Sequence, residues 1–204
     1  METTMRQTIR SIRSNSLDTA HSKRGQSGFS LLEVMFACVI LTIGLVALLG
    51  LFTTALASTQ TSQMDQIARE RAMQTLESIY TARQTSQLTF ADINNTTTTP
   101  PGQFTAGMIP MSDPGPDGLD DTIDDITPPA PYVLPGPDGL LSTTADNQTI
   151  SLVNFKRQVA ITQALDAGGA PISNLKQIVV TVQYPGPTGT PRSYKVQALV
   201  SSFR

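Results

Sequence analysis

The chain has 204 residues, with 14 Lys and Arg against 16 Asp and Glu, a net charge of −2 and 39% hydrophobic residues. This length suits one small domain with an appendage, and the charge balance argues against a broadly basic surface for nucleic acid. One cysteine leaves no internal disulfide, and one histidine, His21, with no tryptophan, leaves little material for His- or Cys-based catalysis or for zinc.

Met1 to Gly28 carries Arg6, Arg10, Arg13, Lys23 and Arg24 against Glu2 and Asp18, and ends in the small residues Ser27-Gly28. An apolar run follows from Leu31 to Ala57, interrupted by one carboxylate, Glu33. A helix of roughly 20 apolar residues spans a hydrocarbon core of ~30 Å. The positive flank predicts an N-terminus inside and everything after Ala57 outside. A secretory signal is cut after its apolar region, whereas the small-residue junction here precedes it, so cutting at Gly28 leaves the anchor attached. A carboxylate within such a span costs ~2.5 kcal/mol or more and marks a function with a partner. The plainer alternative is a signal anchor whose Glu33 snorkels to the interface. Cys38, inside the span, reads as a small apolar residue.

Gly28-Phe29-Ser30-Leu31-Leu32-Glu33, behind a basic leader and ahead of an unbroken apolar helix, resembles the type IV pilin and type II secretion pseudopilin superfamily residue for residue. The resemblance implies that a membrane prepilin peptidase cuts between Gly28 and Phe29 and that Phe29 is methylated. It also implies that Glu33 pairs with the amino group of a neighbouring subunit's Phe29 during assembly. An ammonium and a carboxylate without partners are each disfavoured in lipid, and packing subunits in register satisfies both. The implied partners are other pilin or pseudopilin subunits, the peptidase and an inner-membrane assembly platform. The implied location is the bacterial inner membrane, then a surface pilus or a periplasmic pseudopilus.

Beyond the span, over 58–90, Met64, Ile67, Ala68, Leu76, Ile79 and Tyr80 recur at helical spacing and define one stripe. Asp65, Arg69, Glu70, Arg71, Glu77 and Arg83 fall on wetter faces. No proline occurs between Phe29 and Thr99, which predicts one helix from about Phe29 to Leu88, its first half an anchor and its second half the cover of a sheet.

Residues 91–149 turn to Thr, Pro, Gly and Asp, the chemistry of loops, and a loop of that length calls for an explanation. Gly115-Pro116-Asp117-Gly118-Leu119 recurs as Gly136-Pro137-Asp138-Gly139-Leu140. No Lys or Arg occurs between Arg83 and Lys156, while nine aspartates do. Asp113, Asp117, Asp120, Asp121, Asp124, Asp125, Asp138 and Asp146 are candidate oxygen ligands for Ca²⁺, which accepts six to eight oxygens in irregular geometry. The spacing is not that of an EF-hand, and a solvated acidic loop with two Pro-Asp-Gly turns explains the same residues.

Residues 150–204 read as strands. Phe155, Arg157, Val159 and Ile161 alternate with polar neighbours, Gln177 to Tyr184 is rich in β-branched residues, and Ser193 to Phe203 alternates again. The expected fold class is α+β and pilin-like, a long N-terminal helix packed against a C-terminal antiparallel sheet. The leader holds His21 and the anchor holds Cys38, so the remainder lacks a His or Cys for catalysis and an enzyme is not expected. A basic group at Lys156, Arg157, Lys176, Arg192, Lys195 and Arg204 leaves nucleic acid a minor partner. The expected function is a minor pilin or pseudopilin; the alternative is an anchored, exported binding or adhesion module, calcium-dependent if the aspartates hold the ion.

Overall fold

A computed structural model of the protein describes residues 28–141, 147–187 and 189–203, and the chain divides into two compact units, Met1–Leu48 and Leu49–Arg204. One helix, α1 (Leu31–Gln84), runs through the boundary. It begins after Ser30, whose carbonyl accepts the first helical bond from the Val34 N–H at 3.2 Å. Glu33 therefore sits in the first turn, at the positive end of the helix dipole.

In the first unit every described residue is exposed, so its Leu, Val, Ile and Phe side chains face outward all round, as a helix bathed in lipid requires. Its hydroxyl is internally satisfied: Thr42 donates to the carbonyls of Cys38 and Val39 at 3.0 and 2.8 Å. Past the boundary, Thr53 and Thr54 both donate to the Gly50 carbonyl at 2.9 Å. Such back-bonding removes the cost of a bare hydroxyl in an apolar medium.

The second unit is built on a four-stranded antiparallel sheet in the order β1-β4-β5-β6, where β1 is Ile109–Pro110, β4 Lys156–Leu165, β5 Pro171–Pro185 and β6 Pro191–Ser201. A separate pair joins β2 (Tyr132–Leu134) to β3 (Gln148–Ile150). Val159 lies opposite Val180 and Val180 opposite Val196. Period-2 alternation thus puts Val159, Ile161, Ile178, Val180 and Val182 on one face, all buried. The helix meets that face with Ile67, Ala68, Ala72, Leu76 and Ile79, which share its core. Fully burying side chains of this kind contributes ~1.5–3 kcal/mol each. The fold class is α+β and pilin-like. The sheet's other face carries Lys156, Gln158, Thr181, Gln183, Lys195 and Gln197, and Gln177 and Gln197 bond across it at 3.2 Å.

The helix stops four residues short of the expected Leu88. Ser86 adopts a left-handed φ of 67°, and the Leu88 N–H turns back to the Ala82 carbonyl at 3.0 Å, burying Leu88. The proline- and aspartate-rich segment is also more ordered than its composition implies. Ile93, Phe104, Met111 and Leu119, spaced too widely to register as a periodic element, are buried in the same core.

The two sheet edges differ. Beside β4, the buried Asn95 side chain acts as a substitute strand: its Nδ2 donates to the Val159 carbonyl at 2.7 Å and its Oδ1 accepts from the Ile161 N–H at 2.9 Å. At β6 the edge is met by Tyr80, whose hydroxyl donates to the Leu199 carbonyl at 2.9 Å. Asn95→Ala strands a buried donor and a buried acceptor at roughly 1–3 kcal/mol each. The expected loss of about 2–4 kcal/mol is read by urea unfolding; a loss below about 1 kcal/mol would mean water replaces the amide.

Candidate functional site

The N-terminal candidate residues lie together. Phe29, Glu33, Val34, Ala37, Cys38 and Leu41 line one shallow groove of about 510 Å³ along the start of α1. Spacings of three and four residues place them on one face. Phe29 is 82% exposed, and nothing surrounds Gly28. Among the described residues of this unit, Glu33 is the one charged side chain, set in an apolar face. Such a face can bury against another apolar helix, and its carboxylate can accept an ammonium there. The basic leader lies outside the described residues.

The eight candidate aspartates separate into distinct tasks. Asp120, Asp121 and Asp125 converge on Arg157, which projects from the inner face of β4 and is 1% exposed. Arg157 Nη1 lies 3.0 Å from Asp120, Nε 2.7 Å from Asp121 and Nη2 3.7 Å from Asp125. The Thr75 hydroxyl on α1 donates to Asp120 at 2.6 Å. Asp125 accepts from the backbone N–H of Asp121 at 2.8 Å, from both groups of Thr122 and from the Ser112 hydroxyl. Helix, loop and sheet therefore meet at one guanidinium. Burial pushes the Asp120 and Asp121 carboxyls above the ordinary carboxylate range, against the pull of Arg157. Asp121 Oδ2 is buried with no hydrogen-bond partner, so the desolvation of that oxygen is uncompensated and disfavours the charged form.

The repeated motif is a repeated turn. Gly118 donates to the Gly115 carbonyl at 3.0 Å and Gly139 to the Gly136 carbonyl at 2.9 Å. Asp117 and Asp138 accept from the N–H two residues on, at 2.8 and 2.9 Å, and Gly118 and Gly139 share φ near +70° (71° and 73°). The first copy buries Leu119 whereas the second leaves Leu140 exposed. Asp124 accepts from Thr122 at 2.7 Å, and Asp113 accepts from the Ala130 N–H at 2.6 Å. Asp146 lies outside the described residues. Among the described residues, no group of three or more His, Cys, Asp or Glu side chains is arranged to hold a metal ion.

Arg157 was legible only as a member of a basic group. Its signal was its place at an inward position of the alternation Phe155, Arg157, Val159, where a charge requires a buried partner. Glu70 and Arg71, read as a wet patch, both engage Tyr132: its hydroxyl donates to Glu70 at 2.5 Å, and the Arg71 guanidinium lies 5.9 Å from the ring centre.

Residues 23–49 match the family model of the prokaryotic N-terminal methylation motif. The match covers Lys23 and Arg24 of the basic flank, the Gly28-Phe29 junction, Glu33 and most of the apolar run. With a helix long and apolar enough to cross a membrane, it supports a type IV pilin-like protein of the prepilin type, anchored in a membrane by α1. That class implies processing by a prepilin peptidase and assembly with other pilin subunits. No curated protein and no solved structure matches the chain.

The Arg157 cluster gives stability a definite dependence on pH. A carboxyl whose folded pKa exceeds its unfolded value of 3.8 binds more protons when folded. Its contribution is fully present below the unfolded value and is lost as pH rises through the folded one. Asp92 and Asp124, held low by hydrogen bonds from Thr89 and Thr122, act in the opposite direction, but Asp92 is only half-buried and Asp124 exposed, and solvent screens both. Thermal unfolding of the detergent-solubilised chain is expected at a higher midpoint near pH ~5 than near pH ~7.5. Asp121→Asn, which keeps a residue tolerant of the left-handed φ of 61°, is expected to flatten that difference. An unchanged slope in this variant would contradict the assignment.

Proposed function

We propose that the protein is a non-enzymatic structural subunit, a minor type IV pilin or pseudopilin, cut after Gly28 and assembled through α1 into a pilus or a secretion pseudopilus. The carrying observation is the exposed apolar face around Phe29 with Glu33 as its one charge. An uncleaved leader leaves no amine at Phe29, and cleavage creates one beside the groove. In a stack of such helices the Phe29 ammonium of one subunit meets the Glu33 carboxylate of its neighbour. Each removes the other's desolvation penalty, of several kcal/mol per ion. Glu33 thereby acts as a register mark, since a helix that slides along its neighbour strands both charges. The folded second unit lies on the outer side of the membrane, in keeping with the excess of Lys and Arg ahead of the span.

N-terminal sequencing of the membrane-extracted protein is expected to begin at methylated Phe29. A start at Met1 in cells that contain a prepilin peptidase would refute processing. Glu33→Ala is expected to leave cleavage intact and to reduce recovery in sheared filaments by at least about tenfold, equivalent to ~1.4 kcal/mol. Recovery equal to that of the unaltered chain would remove Glu33 from the assembly role.

A further inference from the structure

Charge in the second unit is sorted along the chain and across the fold. Residues 84–155 hold nine aspartates and no Lys or Arg, whereas after Asp166 no Asp or Glu occurs at all. Topology turns that order into two sides. The acidic segment is tied to the β4 end of the sheet through Arg157 and to one flank of α1 through Thr75–Asp120 and the bond from Gln87 to the Asp117 carbonyl at 2.6 Å. β6 forms the opposite edge, and the other flank of α1 meets it through Tyr80 and through Arg83, which donates to the Ser202 carbonyl at 3.0 Å.

Each side has a feature that the other fits. On the acidic flank, a cleft of about 370 Å³ opens between α1 and the first Pro-Asp-Gly turn, with Glu77, Asp117, Gln74, Gln87, Ser78 and Thr81 among its lining and no cation. On the basic side, Lys195 stands exposed on β6, a strand with no neighbour beyond it among the described residues. Arg192 on the same strand shares its charge with Asp65 at 3.6 Å, so Lys195 is the cation of that edge with no acidic partner among the described residues.

We propose that two copies of the second unit join head to tail, the basic β6 edge of one seated on the acidic flank of α1 in the next, with Lys195 entering the cleft of Glu77 and Asp117. The two surfaces differ, so the contact is heterologous and leaves a free surface at each end, which builds an open-ended array. That property rests on the filament reading and extends it from the anchor to the folded unit. Like sides repel, which disfavours the two-fold alternative in which β6 pairs with β6 and sets Lys195 near its own copy. The contact is rim-like and hydrated, so it sets register and rate more than affinity, and salt weakens it over a Debye length of ~10 Å at 0.1 M.

The test uses the processed full chain in detergent with Cys38→Ser, carrying Gln74→Cys in the cleft and Ser193→Cys on β6 together, which leaves Glu77, Asp117 and Lys195 in place. Mild oxidation at low ionic strength is expected to give a ladder of disulfide-linked species extending past the dimer. High salt is expected to suppress it, and an equal mixture of the two single-cysteine chains is expected to stop at the dimer. The charge exchange Glu77→Lys with Lys195→Glu is expected to restore filament recovery lost in Lys195→Glu alone. Absence of the ladder overturns the proposal, as does efficient dimer formation by the Ser193→Cys chain alone. Cleavage at Gly28 and recovery in filaments, read on the same preparations, report separately on the pilin assignment.

Discussion

A carboxylate held at the start of an apolar helix is the constraint from which the chain's organisation follows. Among the described residues of its unit Glu33 has no cationic side chain beside it, because the groove around it is supplied by Phe29, Val34, Ala37, Cys38 and Leu41. Until the leader is removed, Phe29 carries no free amine. In the assembly we propose, the Glu33 charge is met by another molecule, so that assembly rests on electrostatics as well as on apolar contact. The rest of the apolar run to Ala57 presents no competing polar demand: the hydroxyls of Thr42, Thr53 and Thr54 are turned onto the helix's own carbonyls. A single charge can then dictate register over a long featureless surface.

The second unit faces a related problem in water. It has no disulfide, and its acidic segment would repel itself if left as a free loop. Arg157 resolves much of this by drawing Asp120, Asp121 and Asp125 inward onto β4, while Thr75 fastens the same group to α1. A buried ion cluster is poor evidence of net stability, since desolvation offsets most of the attraction. Its value here is specificity. Wide-spaced apolar residues such as Phe104, Met111 and Leu119 could pack in several registers, and the loop that carries them is fixed in one by the geometry of a guanidinium.

The fold was legible where physical patterns are local. The anchor announced itself by composition, the stripe from Ile67 to Ile79 by a period near 3.6, and β4, β5 and β6 by alternation. The Gly28-Phe29 junction and Glu33 were legible because a charge at the head of an apolar run has few explanations. What escaped was non-local. Asn95 closes the β4 edge with a side chain 64 and 66 residues away from its partners, and no spacing rule encodes that. Arg157 and its aspartates lie up to 37 residues apart and look in sequence like a basic group and an acidic loop. The helix end at Ser86 turns on one left-handed residue with no glycine to mark it.

The acidic segment gains a second meaning from this arrangement. Three of its aspartates are spent inward, and those of the Pro-Asp-Gly turns bond to their own backbone while remaining at or near the surface. The ion cluster fixes the segment that carries the outer set beside Glu77 on α1, so that flank presents carboxylates with no Lys or Arg of residues 84–155 among them. β6 lies across the sheet from that flank, with no acidic residue of its own. A domain polarised in this way has a preferred direction of approach for its own copies, set by the same ion cluster that holds it together.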